Sequence, residues 1–191
     1  MIKKASTLIV EFWIKNAIIK TDDKESYCYG MELILSTLIN VAFMVILSYY
    51  VIGYPIAFIP YIAVYTPLRL TAGGYHARSH LKCILYTQIT FIVFVMSALA
   101  LAKKNIWCLI VLYMVAVLIV LRLAPVEAEK KLMTVEEKLE LQLTTWGFQT
   151  IILILIVIAA IFGVLKNEIV LCVMAANISV AISLILAKII D

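Results

Sequence analysis

Apolar residues fill this chain in long runs that short polar segments interrupt. After a mixed segment over residues 1–32, the pattern predicts six apolar helices, with approximate bounds 33–51, 55–68, 84–102, 106–121, 146–165 and 169–187. A transmembrane helix needs about 20 mostly apolar residues. The run over 55–68 is shorter and contains Pro60, so we expect it to be thin, kinked or re-entrant. The predicted fold is all-α: a polytopic transmembrane helical bundle with about six membrane segments, forming a single integral membrane domain over 1–191.

The mixed segment over 1–32 contains the sequence LIVEFWIKNAII, whose apolar residues recur at roughly helical spacing. Glu11 and Lys15 fall on the opposite, polar side. Amphipathic helices of this kind lie in the membrane interface, where tryptophan is a frequent anchor. We therefore predict an N-terminal interfacial amphipathic helix anchored by Trp13, with a water-exposed helix packed on the rest of the chain as the alternative.

The basic residues of the connecting segments predict an orientation. Seven lie in the two even-numbered connections, which are Arg69, Arg78, Lys82, Arg122, Lys130, Lys131 and Lys138. The odd-numbered connections hold three, which are Lys103, Lys104 and Lys166. Because cytoplasmic loops carry an excess of Lys and Arg, we expect the even connections and both termini to be cytoplasmic. The charged connection over 122–142 is one of these, and we expect helix in its second half.

Composition supports a membrane location. The chain of 191 residues is 65% hydrophobic, and its mean hydropathy is +1.09, whereas a soluble domain is nearer half apolar. The excess apolar surface must face lipid, so the bilayer is an expected partner. A net charge of +4 with only 15% charged residues does not indicate nucleic-acid binding. The four cysteines form no CxxC pair or other framework spacing.

One polar stretch, over 67–83, stands beside the membrane spans and contains both histidines of the protein. It reads PLRLTAGGYHARSHLKC, with an arginine between apolar residues and a cysteine at the entry to the third span. Ionisable residues within the membrane cost free energy, so they are candidates for a functional role. We therefore predict that the loop over 67–83 holds the chemistry of the protein.

The pair His76 and Cys83 suggests thiol chemistry, because an imidazole can generate the nucleophilic thiolate. Seven residues on a straight helix place their Cα atoms about 10 Å apart, which is too far for contact. Gly73 and Gly74 can adopt positive φ and fold the chain back, so that His76 leans over Cys83. By helical geometry alone, His80 is the better partner, because it lies one turn from the cysteine.

The same residues permit two other interpretations. His76, His80 and Cys83 form an HxxxHxxC pattern of metal-capable side chains, although no fourth ligand is apparent. They are equally compatible with an ordinary membrane boundary that has positive charge, a glycine turn and a small cysteine. The residues by themselves leave these three interpretations open.

The pattern RxxxGGxHxxxxxxC, formed by Arg69, Gly74, His76 and Cys83, resembles the accessory gene regulator B family. The segment LAPVEAEKK after the fourth span is similar to a proline-containing, lysine-bearing loop of that family. Together with the hydropathy profile, the resemblance covers nearly the whole chain. It implies a multi-pass cysteine endopeptidase in the cell membrane of a Gram-positive bacterium, with Cys83 as nucleophile and His76 as general base. Arg69 and Gly74 match positions that are important to the family's site.

The resemblance also implies the substrate, a quorum-sensing propeptide with an amphipathic leader and an acidic C-terminal tail. The enzyme would remove the tail through an acyl-enzyme thioester and promote cyclisation to a thiolactone or lactone peptide. Lys130 and Lys131 match the basic part of the second cytoplasmic loop. No cofactor or metal is expected, and homodimerisation is left open. The alternative is a non-enzymatic membrane carrier or scaffold for a small peptide.

Overall fold

The computed structural model describes residues 2–74, 80–126 and 133–190, except for the side chains of His80 and Ile190. Within these ranges the chain forms α-helices and no β-strand. The helices are α1 (Ile2–Lys15), α2 (Lys24–Leu47), α3 (Phe58–Ala72), α4 (His80–Lys104), α5 (Ile106–Leu123), α6 (Val135–Ile161) and α7 (Glu168–Ile190). A 3₁₀ turn (Thr21–Asp23) precedes α2 and a π-helical turn (Ser48–Ile52) follows it. The predicted all-α fold is confirmed.

Five of the helices are long and apolar enough to cross a membrane, namely α2 with its flanking turns, α4, α5, α6 and α7. The remaining predicted segment, 55–68, corresponds to α3. This helix has 15 residues and is therefore about 22 Å long. This is shorter than the hydrocarbon core of about 30 Å, as its sequence led us to expect. The polytopic helical architecture is confirmed, with α3 as its short member.

Two connections between helices contain fewer non-helical residues than their sequences suggested. Helix α3 includes Pro67 and continues to Ala72, and α4 begins at His80, so much of the predicted loop over 67–83 is helical. The second half of 122–142 is helical, as expected. There a capping box starts α6: the Thr134 hydroxyl accepts the Glu137 N–H at 3.2 Å, and the Glu137 carboxylate accepts the Thr134 N–H at 3.0 Å.

The structure divides into two compact units, Met1–Met44 and Val45–Asp191. In the first unit, the predicted N-terminal helix is present as α1. It packs on the start of α2 through an ion pair of 2.8 Å between Glu11 and Lys24. An edge-to-face contact between Trp13 and Tyr27 adds to this packing. The position of α1 in the membrane interface stays a prediction.

Helix α7 lies at the centre of the second unit, where it packs against α3, α4 and α5. Its buried face carries many small residues, including Ala175, Ala176 and Ala181. In lipid, helices gain no hydrophobic stabilisation from meeting one another, so close packing of small residues is a main source of their association. The alanine-rich face therefore lets three helices approach α7 closely.

A buried amide pair joins α7 to α6. The Asn177 amide donates to the Gln149 carbonyl oxygen at 2.8 Å, and both side chains are almost fully buried. Gln149 Nε2 and Asn177 Oδ1 have no further partner among the described residues. Side-chain hydrogen bonds between membrane helices contribute about 1 kcal/mol, so this bond stabilises the association of α6 with α7 by about that amount.

At one end of the second unit, the end of α3 is joined to the segment that follows α5. The Val126 N–H donates to the Ala72 carbonyl at 2.9 Å. Gly73 and Val126 form an isolated parallel bridge. Gly73 has φ +77°, and a β-carbon there would overlap the Val126 carbonyl oxygen. The glycine is therefore required twice, for its backbone conformation and for the close approach of the two segments.

We predict that Gly73→Ala destabilises the protein more than Gly53→Ala. Gly53 has a similar φ of +75° but open space around it, so its substitution adds only the strain of a left-handed residue, about 1 kcal/mol. Gly73→Ala also displaces Val126 and removes a hydrogen bond worth about 1 kcal/mol. Unfolding of the purified variants in detergent measures both losses, and equal losses would contradict the proposed close approach.

Candidate active site

The cysteine predicted to be the nucleophile lies at the start of a helix. Cys83 is in the first turn of α4 and its side chain is exposed. The first turn of a helix has backbone N–H groups without helical acceptors, and the helix dipole there favours negative charge. Cys83 is thus accessible to a substrate in an environment that suits an anionic intermediate.

A tyrosine of α3 connects Cys83 with Arg69. The Tyr65 hydroxyl lies within hydrogen-bonding reach of the Arg69 guanidinium and within electrostatic range of Cys83 and Tyr86. The Tyr65 ring stacks on the ring of Tyr61, with ring centroids 5.4 Å apart. The structure therefore places a phenol near both the guanidinium of Arg69 and the thiol of Cys83.

Gly74 is in close contact with the same arginine. It has φ +122°, and a β-carbon there would lie 2.5 Å from Arg69 Nη1 and 2.8 Å from the Ser183 hydroxyl of α7. Ser183 is fully buried, and its hydroxyl has no hydrogen-bond partner among the described residues. The positive φ predicted for Gly73 and Gly74 is confirmed. Helices α3 and α7 and the glycine turn thus meet around the Arg69 guanidinium.

Two members of this cluster are absent from the sequence-based set of site residues. Tyr65 precedes Arg69 by four residues, so helical spacing on α3 was an available signal. Ser183 lies more than 100 residues from Gly74 in the chain, and no local pattern marks it. Its proximity results from the packing of α3 against α7.

The structure brings together Arg69 and Gly74, and Tyr65 links the arginine with Cys83. His76, Lys130 and Lys131 lie outside the described residues, and the side chain of His80 is not described either. Within the described ranges no three His, Cys, Asp or Glu side chains gather in a group that could hold a metal ion. The HxxxHxxC interpretation depends on His76, so it remains a hypothesis.

The described part of the site combines an accessible thiol, a cation within reach of a phenol, and a helix start that favours negative charge. Such a set suits attack on a carbonyl group and stabilisation of the anion that forms.

Comparison with known proteins identifies the family of the chain. The family model for accessory gene regulator B matches residues 6–186, nearly the whole chain. Neither the curated proteins nor the solved structures include one that matches the chain. The matched range includes every helix except the ends of α1 and α7. The protein therefore belongs to the accessory gene regulator B family.

Proposed function

We propose that this protein is a membrane-embedded cysteine endopeptidase that cleaves the tail from an autoinducing-peptide precursor and promotes cyclisation of the remaining peptide. Family membership is consistent with a role in quorum-sensing peptide processing. The single observation that supports the catalytic type is the position of Cys83, an exposed thiol at the start of α4 within electrostatic range of Tyr65, which is itself within hydrogen-bonding reach of Arg69.

The reaction begins when His76 takes the proton of the Cys83 thiol. The thiolate attacks the carbonyl carbon at the end of the signal core, and a tetrahedral oxyanion forms. As the peptide C–N bond breaks, the leaving amine of the tail receives the proton from His76, and the core remains bound to Cys83 as a thioester. Each step conserves charge between the nucleophile, the base and the leaving group.

Cyclisation is the second half-reaction. A thiol or hydroxyl within the signal core attacks the thioester carbonyl and transfers its proton, through His76, to the departing Cys83 sulfur. The products are a thiolactone or lactone and the free thiol of the enzyme. Exchange of one thioester for another is close to neutral in free energy, and the tethered nucleophile acts at a high effective concentration. Exclusion of water at the bilayer edge favours cyclisation over hydrolysis.

Arg69 and Tyr65 are suited to bind negative charge in this reaction. Guanidinium and phenol groups donate hydrogen bonds to an oxyanion or to a substrate carboxylate. Gly74 would keep the guanidinium in place, because any side chain there would displace it. We place this end of the bundle on the cytoplasmic side, where a precursor with an acidic tail would reach Lys130 and Lys131 of the following loop.

We predict that the purified protein, mixed with its precursor peptide, forms a covalent adduct with the mass of the tail-less peptide. The adduct and tail release should be lost in Cys83→Ala, because no other side chain is proposed to carry the acyl group. Intact-protein mass spectrometry measures the adduct.

Cys108→Ala is the matched control, because Cys108 is also exposed and lies in the first turn of α5. This variant should retain both the adduct and tail release. Tail release that persists in Cys83→Ala would exclude the thiol mechanism.

Alkylation identifies the histidine that activates Cys83. We expect N-ethylmaleimide to modify Cys83 at least about tenfold faster than Cys108 near neutral pH, because the thiolate is the reactive form. His76→Ala should abolish the difference, and His80→Ala should preserve it. Site-resolved mass spectrometry after timed quenching gives both rates.

The opposite pattern in the two histidine variants would assign the base to His80. Equal rates for Cys83 and Cys108 in the unmodified protein would favour the non-enzymatic carrier, which needs no reactive thiol.

A further inference from the structure

A second polar feature lies at the same end of the bundle as Cys83. A cavity of about 370 Å³ opens between the ends of α5 and α7 and the first turns of α6. Its lining includes three basic side chains, Arg122, Lys138 and Lys188, together with Gln142. The described lining thus carries three basic side chains and no carboxylate.

The basic side chains converge because of where their helices end. Arg122 is in the last turn of α5 and Lys188 is in the last turn of α7. Neither forms an ion pair with a carboxylate of the described residues. Lys138 and Gln142 are four residues apart on α6 and therefore share one face of that helix. Two helix ends and one helix face thus direct donor groups into one space.

Two acidic residues of α6 lie on a different face of the helix from this cavity. Glu137 and Glu140 line a separate cavity on another face of the helix, with Leu141 and Thr144. The first turns of α6 are therefore sorted by charge, with a basic side toward α5 and α7 and an acidic side away from them.

The depth of the cavity indicates the source of its ligand. It lies where membrane-length helices end, which is the level of lipid headgroups. Trp146 is one turn further along α6 from Gln142, and its indole N–H donates to the Leu121 carbonyl of α5 at 3.2 Å. Tryptophan is enriched at this boundary. Further along these two helices, toward the middle of the membrane, Trp146 is 43% exposed on α6 and Leu118 is 58% exposed on α5. These side chains provide an apolar surface for acyl chains.

We propose that this cavity is a binding site for the phosphate of an anionic membrane lipid. Arg122 can donate two parallel hydrogen bonds to phosphate oxygens, and Lys188 adds a second positive charge. Basic pockets between membrane helices bind anionic headgroups in this way. A free phosphate would gain nothing from the exposed apolar surface below, and neither would a water-soluble acidic peptide, so the lipid is the ligand that uses both parts of the site.

The test uses the full-length protein in neutral detergent, with bound lipid counted by native mass spectrometry. Phosphatidylglycerol should be retained in preference to phosphatidylcholine. The double variant Arg122→Gln/Lys188→Gln should lower the affinity for phosphatidylglycerol about thirty-fold, since two cations near the anionic headgroup are removed. Arg122→Lys/Lys188→Arg should retain most of the binding, which separates loss of charge from loss of folding.

The matched control is Lys103→Gln/Lys166→Gln, which removes two cations from the opposite end of the bundle. Those lysines line a cavity of about 260 Å³ that also contains Glu168, so this variant should leave phosphatidylglycerol retention unchanged. Equal losses in both double variants would overturn the proposal, because they would reflect overall charge alone.

Two competitors distinguish the source of the anion. Glycerol 1-phosphate and hexaglutamate, each at the lipid concentration, should fail to displace phosphatidylglycerol. Displacement by glycerol 1-phosphate would show a site for free phosphate, and displacement by hexaglutamate would show a site for peptide carboxylates. Either result would overturn the assignment to lipid.

Discussion

The hydrogen bond between the Val126 N–H and the Ala72 carbonyl is the interaction on which this end of the molecule depends. It joins two segments that are far apart in sequence, and the absent side chain of Gly73 makes their approach possible. On one side of the junction, Gly74 meets Arg69 and Ser183. On the other side, Val126 forms part of the wall of the basic cavity. The candidate active site and the proposed lipid site therefore share one backbone contact.

The candidate site illustrates how a membrane protein holds polar groups near lipid. Arg69 lies in the last turn of α3, a helix too short to span the hydrocarbon core, so the residue lies near one end of the bundle. Tyr65 and the Gly74 backbone surround it. The free-energy cost of removing an arginine from water is smaller when neighbouring protein groups surround it than when it faces lipid. The shortness of α3 and the polarity of the site are thus two aspects of one arrangement.

The sequence was sufficient for the helices and for part of the site, and the reasons differ. Apolar runs predicted the membrane helices, because a chain that crosses lipid must satisfy its backbone hydrogen bonds internally. The pattern from Arg69 to Cys83 supplied three residues that the structure describes, since their spacing is local. The helical extent of 67–72 and 80–83 was missed, because polar residues in a helix end resemble those in a loop. Ser183 and the basic cavity depend on contacts between distant helices, which no local pattern encodes.

The amide pair between Gln149 and Asn177 has a consequence for motion. If α7 slid along α6 by one turn, about 5.4 Å, these two buried amides would lose their shared hydrogen bond. A loss of about 1 kcal/mol favours the observed axial register of α7 over a shifted one. Ser183 follows Asn177 by less than two turns on the same rigid helix, so the pair also fixes its depth. A displacement of α7 would therefore move Ser183 together with Asn177, whereas Arg69 lies on α3, which this hydrogen bond does not hold.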